Sequence, residues 1–322
     1  MNNDRISCKQ NTHKTDLSLE IAGIAMKNPV MVASGTFGFG REYSEFIDIN
    51  NLGAIVTKGL TFLPKEGNPP PRTYETPGGM LNSVGLENPG VENFIKKEMP
   101  YLNSLSIPVI VNIDGDTVNE YYKIAKRLDN VKNISALEIN ISCPNVKQGG
   151  MAFGQDPQNA YEVVKAVKEG TNLPIIVKLS PNVTKVEKIA EAAVSAGADA
   201  ISLINTLLGM AIDIYEKKPV FYRTFAGLSG PAVKPVALRM VWQVYDAVDV
   251  PIIGMGGIFT WQDAIEFILA GASAVAVGTA NFVEPQAPEK IVAGIEHYLK
   301  EQFEENIRLN DIIGLAHKAN ID

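Results

Sequence analysis

Residues 251–279 read PIIGMGGIFTWQDAIEFILAGASAVAVGT, and this stretch decides the fold. It opens on a short apolar run and passes through Gly256 and Gly257. An amphipathic segment from Thr260 follows, and the stretch closes on a second apolar run, AVAVGT, from Ala274. Short runs that are apolar on both faces suit parallel strands covered by helices. The segment between them ends in Ala-Gly-Ala, where glycine permits a left-handed helix stop. The unit reads as strand, helix, strand.

The same unit recurs along the chain. PVMVAS from Pro29, AIVTKG from Ala54, PVIVNI from Pro108, ALEINIS from Ala136, PIIVKL from Pro174 and AISLIN from Ala200 bring the strand count to eight. TVNEYYKIAKRL, NAYEVVKAVKEG and VEKIAEAAVSAGA read as further amphipathic helices between them. Alternating β and α with eight strands predicts an α/β fold, a (β/α)8 TIM barrel. Ahead of the first strand, LSLEIAGIAMKNP reads as a small hairpin closing the barrel bottom. Two connections, residues 60–100 and 207–235, are too long for simple crossovers and are expected as insertions at the C-terminal mouth, where active sites of this architecture are built. No linker divides the chain. Residues 1–16 are expected to be a polar, disordered tail and residues 17–322 a single catalytic domain.

Composition narrows the function. The 322 residues are 46% apolar and 20% charged, as in soluble globular proteins. A formal charge of −7 argues against a nucleic-acid surface. Two cysteines build no disulfide framework, which suggests a reducing, cytoplasmic setting, and they cannot supply the four thiolates of an ordinary iron–sulfur cluster. The N-terminal MNNDRISCKQNTHKTD has no apolar signal core, and no apolar stretch is long enough to span a bilayer. Cys8 in that tail reads as incidental.

In a (β/α)8 barrel, polar residues at the C-terminal strand ends are the catalytic candidates. Here they are Ser34, Lys58-Gly59, Asn112, Asn140 leading to Cys143, Lys178, Asn205-Thr206, Gly256-Gly257 and Gly278-Thr279. Any one of these could merely cap a loop; a whole ring of them describes a polar pocket with positive charge at its rim. Glycines after the seventh and eighth strands let backbone N–H groups approach a phosphate, although they also serve tight turns. Flavin mononucleotide and sugar phosphates both fit such a site. Lys178 and Lys58 admit a Schiff base, support of an anionic reduced flavin, or a grip on a substrate carboxylate. The residues alone leave these open.

Cys143 sits in EINISCPNVKQGG, residues 138–150. A free cysteine is often a small buried hydrophobe. Its place after a strand end, before glycines Gly149, Gly150 and Gly154 that suggest a closing loop, favours a reactive thiol. His13 lies in the tail, and His297 and His317 lie near the C-terminus, so neither a histidine triad nor a metal site is expected. Cys143 is the remaining strand-end group for proton transfer, with an ordinary thiol pKa of about 8.5.

EINISCPN, LNSVGLENPG, TKGLT, GLSGPAVKPVALRMV and GMGGI together resemble the family 1 dihydroorotate dehydrogenases, over residues 17 to 305. The SGPAVKPVALRMV stretch is similar to the catalytic subunit of the NAD-linked, two-subunit class 1B. The resemblance implies FMN-dependent oxidation of dihydroorotate to orotate in pyrimidine synthesis, with Cys143 removing a proton from C5 and the C6 hydride passing to flavin N5. It implies substrate contacts at Lys58, Asn82, Ser83, Val84, Gly85, Leu86, Asn140, Asn145, Asn205 and Thr206. Implied FMN contacts are Ser34, Lys58, Gly59, Asn112, Asn140, Lys178, Ile204, Gly230, Gly256, Gly257, Gly278 and Thr279. No G-x-G-x-x-G follows a strand, so the electrons need another route to NAD. The resemblance supplies one: a homodimer joined by two partner subunits carrying FAD and a [2Fe–2S] cluster. Alternatives are a dihydropyrimidine dehydrogenase-like enzyme acting on uracil or thymine, a tRNA dihydrouridine synthase, and a Schiff-base aldolase using Lys178; a non-enzymatic scaffold explains the polar ring least well. Two departures stand out: Asp114 and Asp116 in NIDGD, where small residues are expected, and a longer N-terminal extension.

Overall fold

A computed structural model describes residues 15–142, 144–145, 151–303 and 307–319. Eight strands close into a parallel barrel: β1 (Val30–Val32), β2 (Ala54–Val56), β3 (Val109–Ile113), β4 (Ala136–Asn140), β5 (Ile175–Leu179), β6 (Ala200–Leu203), β7 (Ile252–Met255) and β8 (Ala274–Val277). Each falls inside one of the eight runs read from the sequence. The sheet order follows the chain, and β8 pairs with β1 to close it. Apart from Asn140 at the end of β4, their residues are buried on both faces, as doubly covered strands require.

The longer helices are α1 (Gly90–Lys97), α2 (Val118–Leu128), α3 (Pro157–Gly170), α4 (Val186–Ser195), α5 (Lys234–Tyr245), α6 (Trp261–Leu269) and α7 (Ala287–Gln302), with one-turn helices at Met99–Leu102 and Ala280–Val283. Between β1 and β2 the chain makes only a 3-10 turn, Ile49–Asn51. Start signals are local. The Thr117 hydroxyl accepts from the Glu120 N–H at α2, and Thr260 and Asp263 cap each other's backbone at α6. The expected hairpin is present, Leu19–Ile21 against Ile24–Met26. Its apolar side chains are buried, and the Met26 methyl lies against Gly53 at the entry to β2, the bottom of the barrel.

The two long connections do more than decorate the mouth. Leu207–Gly209 and Ala226–Ser229 from the second pair with Gly79–Asn82 and Thr73–Thr76 from the first, giving a four-stranded antiparallel sheet. Segments that follow β2 and β6 are thereby fastened to each other above the barrel.

Both Ala-Gly-Ala stops use the left-handed region, with φ of 103° at Gly197 and 111° at Gly271. Their surroundings differ. A Cβ on Gly197 would meet only the Lys168 side chain, at 3.4 Å, whereas one on Gly271 would run into the Tyr245 ring. Gly197→Ala is therefore expected to cost about 1–2 kcal/mol in backbone strain alone. Gly271→Ala should lose a further ~1–3 kcal/mol through overpacking. Urea denaturation of the two variants checks this, and equal losses would contradict it.

Candidate active site

Strand register decides which polar side chains meet inside the barrel. Asn112 on β3 lies opposite Glu138 on β4; Asn140, two residues on and facing the same way, lies opposite Lys178 on β5; and Lys178 lies opposite Ser202 on β6. The Glu138 side chain is buried. Its Oε2 accepts from Asn112 Nδ2 at 2.6 Å, and its Oε1 accepts from the Ser202 hydroxyl at 2.9 Å. Lys178 Nζ stands 3.8 Å from Glu138 Oε2 and donates to Ser34 Oγ, beyond β1, at 3.2 Å. A carboxylate and an ammonium withdrawn from water in this way are tolerated because each has polar partners.

A second layer sits nearer the mouth. Asn140 Nδ2 donates to Asp114 Oδ2 at 2.6 Å, while Asn140 Oδ1 accepts from Asn205 Nδ2 at 3.0 Å and from the Ser142 N–H at 3.2 Å. Asn205 Nδ2 also donates to Ser142 Oγ at 3.0 Å, and Asn205 Oδ1 accepts from the Thr206 N–H at 2.8 Å. The Tyr121 hydroxyl of α2 donates to the Asn140 carbonyl at 2.6 Å. The two unexpected acids therefore have distinct places. Asp114 is fully buried and fixes the polarity of a site amide; Asp116 pairs with Lys65 at 3.0 Å, tying the first long connection to the barrel rim.

One cavity of about 290 Å³ opens above these layers. Ser34, Lys58, Gly59, Asn82, Val84, Gly85, Leu86, Asn112, Asn140, Lys178, Ile204, Asn205, Thr206, Gly230, Gly256, Gly257, Gly278 and Thr279 all line it. The mouth sheet adds Thr73, Met80, Leu228 and Ser229, and the Thr279 hydroxyl donates to Ser229 Oγ at 2.8 Å. Ser83, between the lining residues Asn82 and Val84, is held by Asn68, whose Nδ2 donates to its carbonyl and its hydroxyl, both at 3.1 Å. Cys143, Gly149 and Gly150 lie outside the described residues. Of Asn145 the structure describes the backbone, where Pro144–Asn145 pairs with Met151–Ala152. Gly154, expected in a closing loop, is instead packed: its N–H donates to the Ile141 carbonyl at 2.7 Å, and a Cβ would press on the Ile141 side chain.

The glycines at one end of the cavity do not share one purpose. Gly256 and Gly257 have φ of 118° and 80°, and a Cβ on Gly257 would lie 2.8 Å from the Lys234 backbone nitrogen. Packing of α5 therefore requires them, besides any ligand. A Cβ on Gly278 would meet only Ala33, at 3.7 Å, so bare backbone there leaves open space. The donor set fits a flavin phosphate at this end and a flavin ring beside Lys178 and Asn112. At the rim, burial pushes the Lys58 ammonium below the ordinary lysine range; Glu87 opposes that shift and Arg72 adds to it.

Sequence reasoning missed Glu138 and Ser202, and it missed the apolar lining from Met80, Leu228, Met255, Phe259 and Phe282. Glu138 had a signal, a lone acid within a run otherwise apolar on both faces. Met80 and Leu228 had none, since they come from the mouth sheet folded back over the barrel, whereas Met255 ends β7 and Phe259 and Phe282 follow β7 and β8.

The profile of the dihydroorotate dehydrogenase family matches residues 16–299. The chain belongs to this family. Its members are flavoenzymes. A catalytic subunit of dihydroorotate dehydrogenase B (NAD(+)) from Geotalea uraniireducens is 59% identical over 288 residues, 89% of this chain and 94% of that protein. The protein of the same name from Desulforamulus reducens is 59% identical over 304 residues, 94% of this chain and 99% of its own length. That from Geotalea daltonii is 56% identical over 301 residues, covering 94% and 98%. Family membership sets aside the aldolase and tRNA-modifying alternatives. Among the described residues no group of three or more His, Cys, Asp or Glu could hold a metal, and no helix is long and apolar enough to cross a membrane.

Replacing Asp114 with alanine leaves the half-buried Asn140 amide short of an acceptor. Asp114→Ala is expected to lose about 1–3 kcal/mol of stability. Asp114→Asn keeps an acceptor oxygen and should lose clearly less. Equal urea midpoints for the two variants would contradict the role given to Asp114.

Proposed function

We propose that this chain oxidises (S)-dihydroorotate to orotate in de novo pyrimidine synthesis, with FMN bound in the barrel-mouth cavity and electrons passed through a partner subunit to NAD. The observation that carries the reading is one cavity ringed by Lys58, Lys178 and four asparagines, with glycine backbone at one end, in a member of this family. Residues 17–322 act as one catalytic domain, in the cytoplasm.

FMN, when bound, supplies the acceptor for the two electrons of the oxidation. The chain's own residues do the rest. Gly230, Gly256, Gly257, Gly278 and Thr279 hold the phosphate, and Ser34, Gly59, Asn112, Lys178 and Ile204 hold the ring system. Lys58 takes the substrate carboxylate. Asn82, Asn140, Asn145, Asn205 and Thr206, with the 83–86 backbone, read the alternating N–H and C=O groups of the pyrimidine ring, since a carboxamide offers both a donor and an acceptor. Cys143 takes the C5 proton as the C5–C6 bond becomes double. The mouth sheet limits the access of water.

The second long connection exposes Leu208, Ile212, Ile214, Tyr215, Tyr222 and Phe225, with Tyr215 88% exposed. A strip of this kind supports an interface, and we assign it to a homodimer. Two electron-transfer subunits carrying FAD and a [2Fe–2S] cluster complete the assembly, a reading supported by relatives named as catalytic subunits.

Dihydroorotate-dependent formation of orotate with an artificial electron acceptor tests the activity directly. Cys143→Ser should keep its flavin and lose about 100-fold or more in turnover at neutral pH, because a hydroxyl is a far weaker base. Unchanged turnover would remove Cys143 from the mechanism. Lys58 gives a pH signature. Its lowered pKa means that the ammonium, and with it the grip on a carboxylate, is lost as pH rises through a value below the ordinary 10.5. Orotate affinity should fall over that alkaline range by roughly 10- to 100-fold, the weight of a charged hydrogen bond. Lys58→Gln should bind weakly and without that dependence. A flat profile in the unaltered protein would contradict the assignment.

A further inference from the structure

Glu138 has no part in the chemistry proposed above, yet three groups of the site converge on it. Its side chain is 2% exposed. Asn112 Nδ2 and the Ser202 hydroxyl donate to its two oxygens, at 2.6 and 2.9 Å, and Lys178 Nζ lies 3.8 Å from Oε2. We propose that Glu138 is a positioning residue of the flavin site, fixing which end of the Asn112 carboxamide faces the cavity and setting the net charge that Lys178 presents there. The proposal rests on the flavin reading above.

The amide argument is one of donors and acceptors. A carboxylate with a hydroxyl and an ammonium already directed at it accepts only, so the Asn112 terminus that touches it must be the NH2 group. Asn112 Oδ1 is thereby turned toward Gly59, where a Cβ would lie only 2.7 Å from it. The cavity thus receives a carbonyl oxygen from Asn112, an acceptor for a ligand N–H. A flipped amide would set oxygen against carboxylate oxygen in a dry site, at a cost well above that of an ordinary lost hydrogen bond. A glutamine at 138 presents either an oxygen or an NH2 group to Asn112, and the Ser202 hydroxyl follows either choice. The orientation then ceases to be unique.

The charge argument concerns Lys178. A cation beside the flavin ring favours the reduced, anionic form over the oxidised, neutral one. A carboxylate within 4 Å of that cation offsets most of its field on a ligand further away, and the offset is strong where water is excluded. Glu138 therefore restrains the preference for reduced flavin that Lys178 alone would create. Removing the carboxylate should raise the reduction potential, because its negative field at the flavin is lost.

The test is anaerobic dye-equilibration titration of the FMN-loaded chain, which gives the ratio of its affinities for reduced and oxidised FMN. Glu138→Gln should raise that ratio about tenfold or more, which for a two-electron couple is about 30 mV. Glu138→Asp, which keeps the charge but withdraws it by a methylene, should raise it roughly two- to fivefold. In a Lys178→Gln background Glu138→Gln should still raise the ratio, because the fields of the two charges add. A merely structural role would weaken the binding of both flavin forms alike and leave the ratio still. An unmoved ratio in both single variants overturns the proposal; where Glu138→Gln does not fold, the Glu138→Asp result decides. An unaltered protein that binds no FMN would sink the flavin reading itself, whereas one that binds FMN with a ratio indifferent to residue 138 would sink only the role given to Glu138.

Discussion

Closing eight parallel strands into a barrel forces one face of every strand inward and ties each inward residue to a neighbour by register. That constraint places the polar side chains of this site. Asn112, Glu138, Asn140, Lys178 and Ser202 meet because β3 to β6 are paired without slippage, and a shift of one residue on any strand would turn its polar group into the helix layer. Once inward, these groups must satisfy one another, because little water reaches them. Glu138 is the junction of the lower layer and Asn140 of the upper one.

The loops depend on this frame and complete it. Neither long connection has a large core of its own; Leu81, Phe221 and Ala226 form only a small cluster. Pairing with each other gives their backbones partners and brings Thr73, Met80, Asn82, Leu228 and Ser229 over the cavity. Gly230, at φ 104°, lets the two segments approach so closely that a Cβ would lie 2.5 Å from the Gly79 Cα. The wall that shapes the cavity is therefore assembled from residues about 150 positions apart, roughly half the chain.

Much of the barrel was legible in the sequence because its signals are local. Apolar runs of strand length, amphipathic helices and Ala-Gly-Ala stops each report on a few neighbouring residues. The strand-end polar ring was legible for the same reason, since the topology alone brings the ends together. The antiparallel mouth sheet was not, because pairing between residues 79–82 and 226–229 leaves no pattern within either segment. Asp114 was visible only as an anomaly, and its meaning needed the position of Asn140. Glu138 was passed over within an apolar run, although an acid buried on both sides demands partners. Ser83, carried into the site by a motif, stands between the lining residues Asn82 and Val84, with its own carbonyl and hydroxyl accepting from Asn68. Gly154 was read as a hinge from its glycine identity, whereas packing against Ile141 explains it.

The central claim is that this cavity holds a flavin which dihydroorotate reduces. The most direct measurement is the anaerobic visible spectrum of the purified, FMN-loaded chain before and after addition of dihydroorotate. The account predicts a yellow flavin band that bleaches on addition. A flavin band that dihydroorotate leaves untouched, or a chain that retains no flavin, would contradict it.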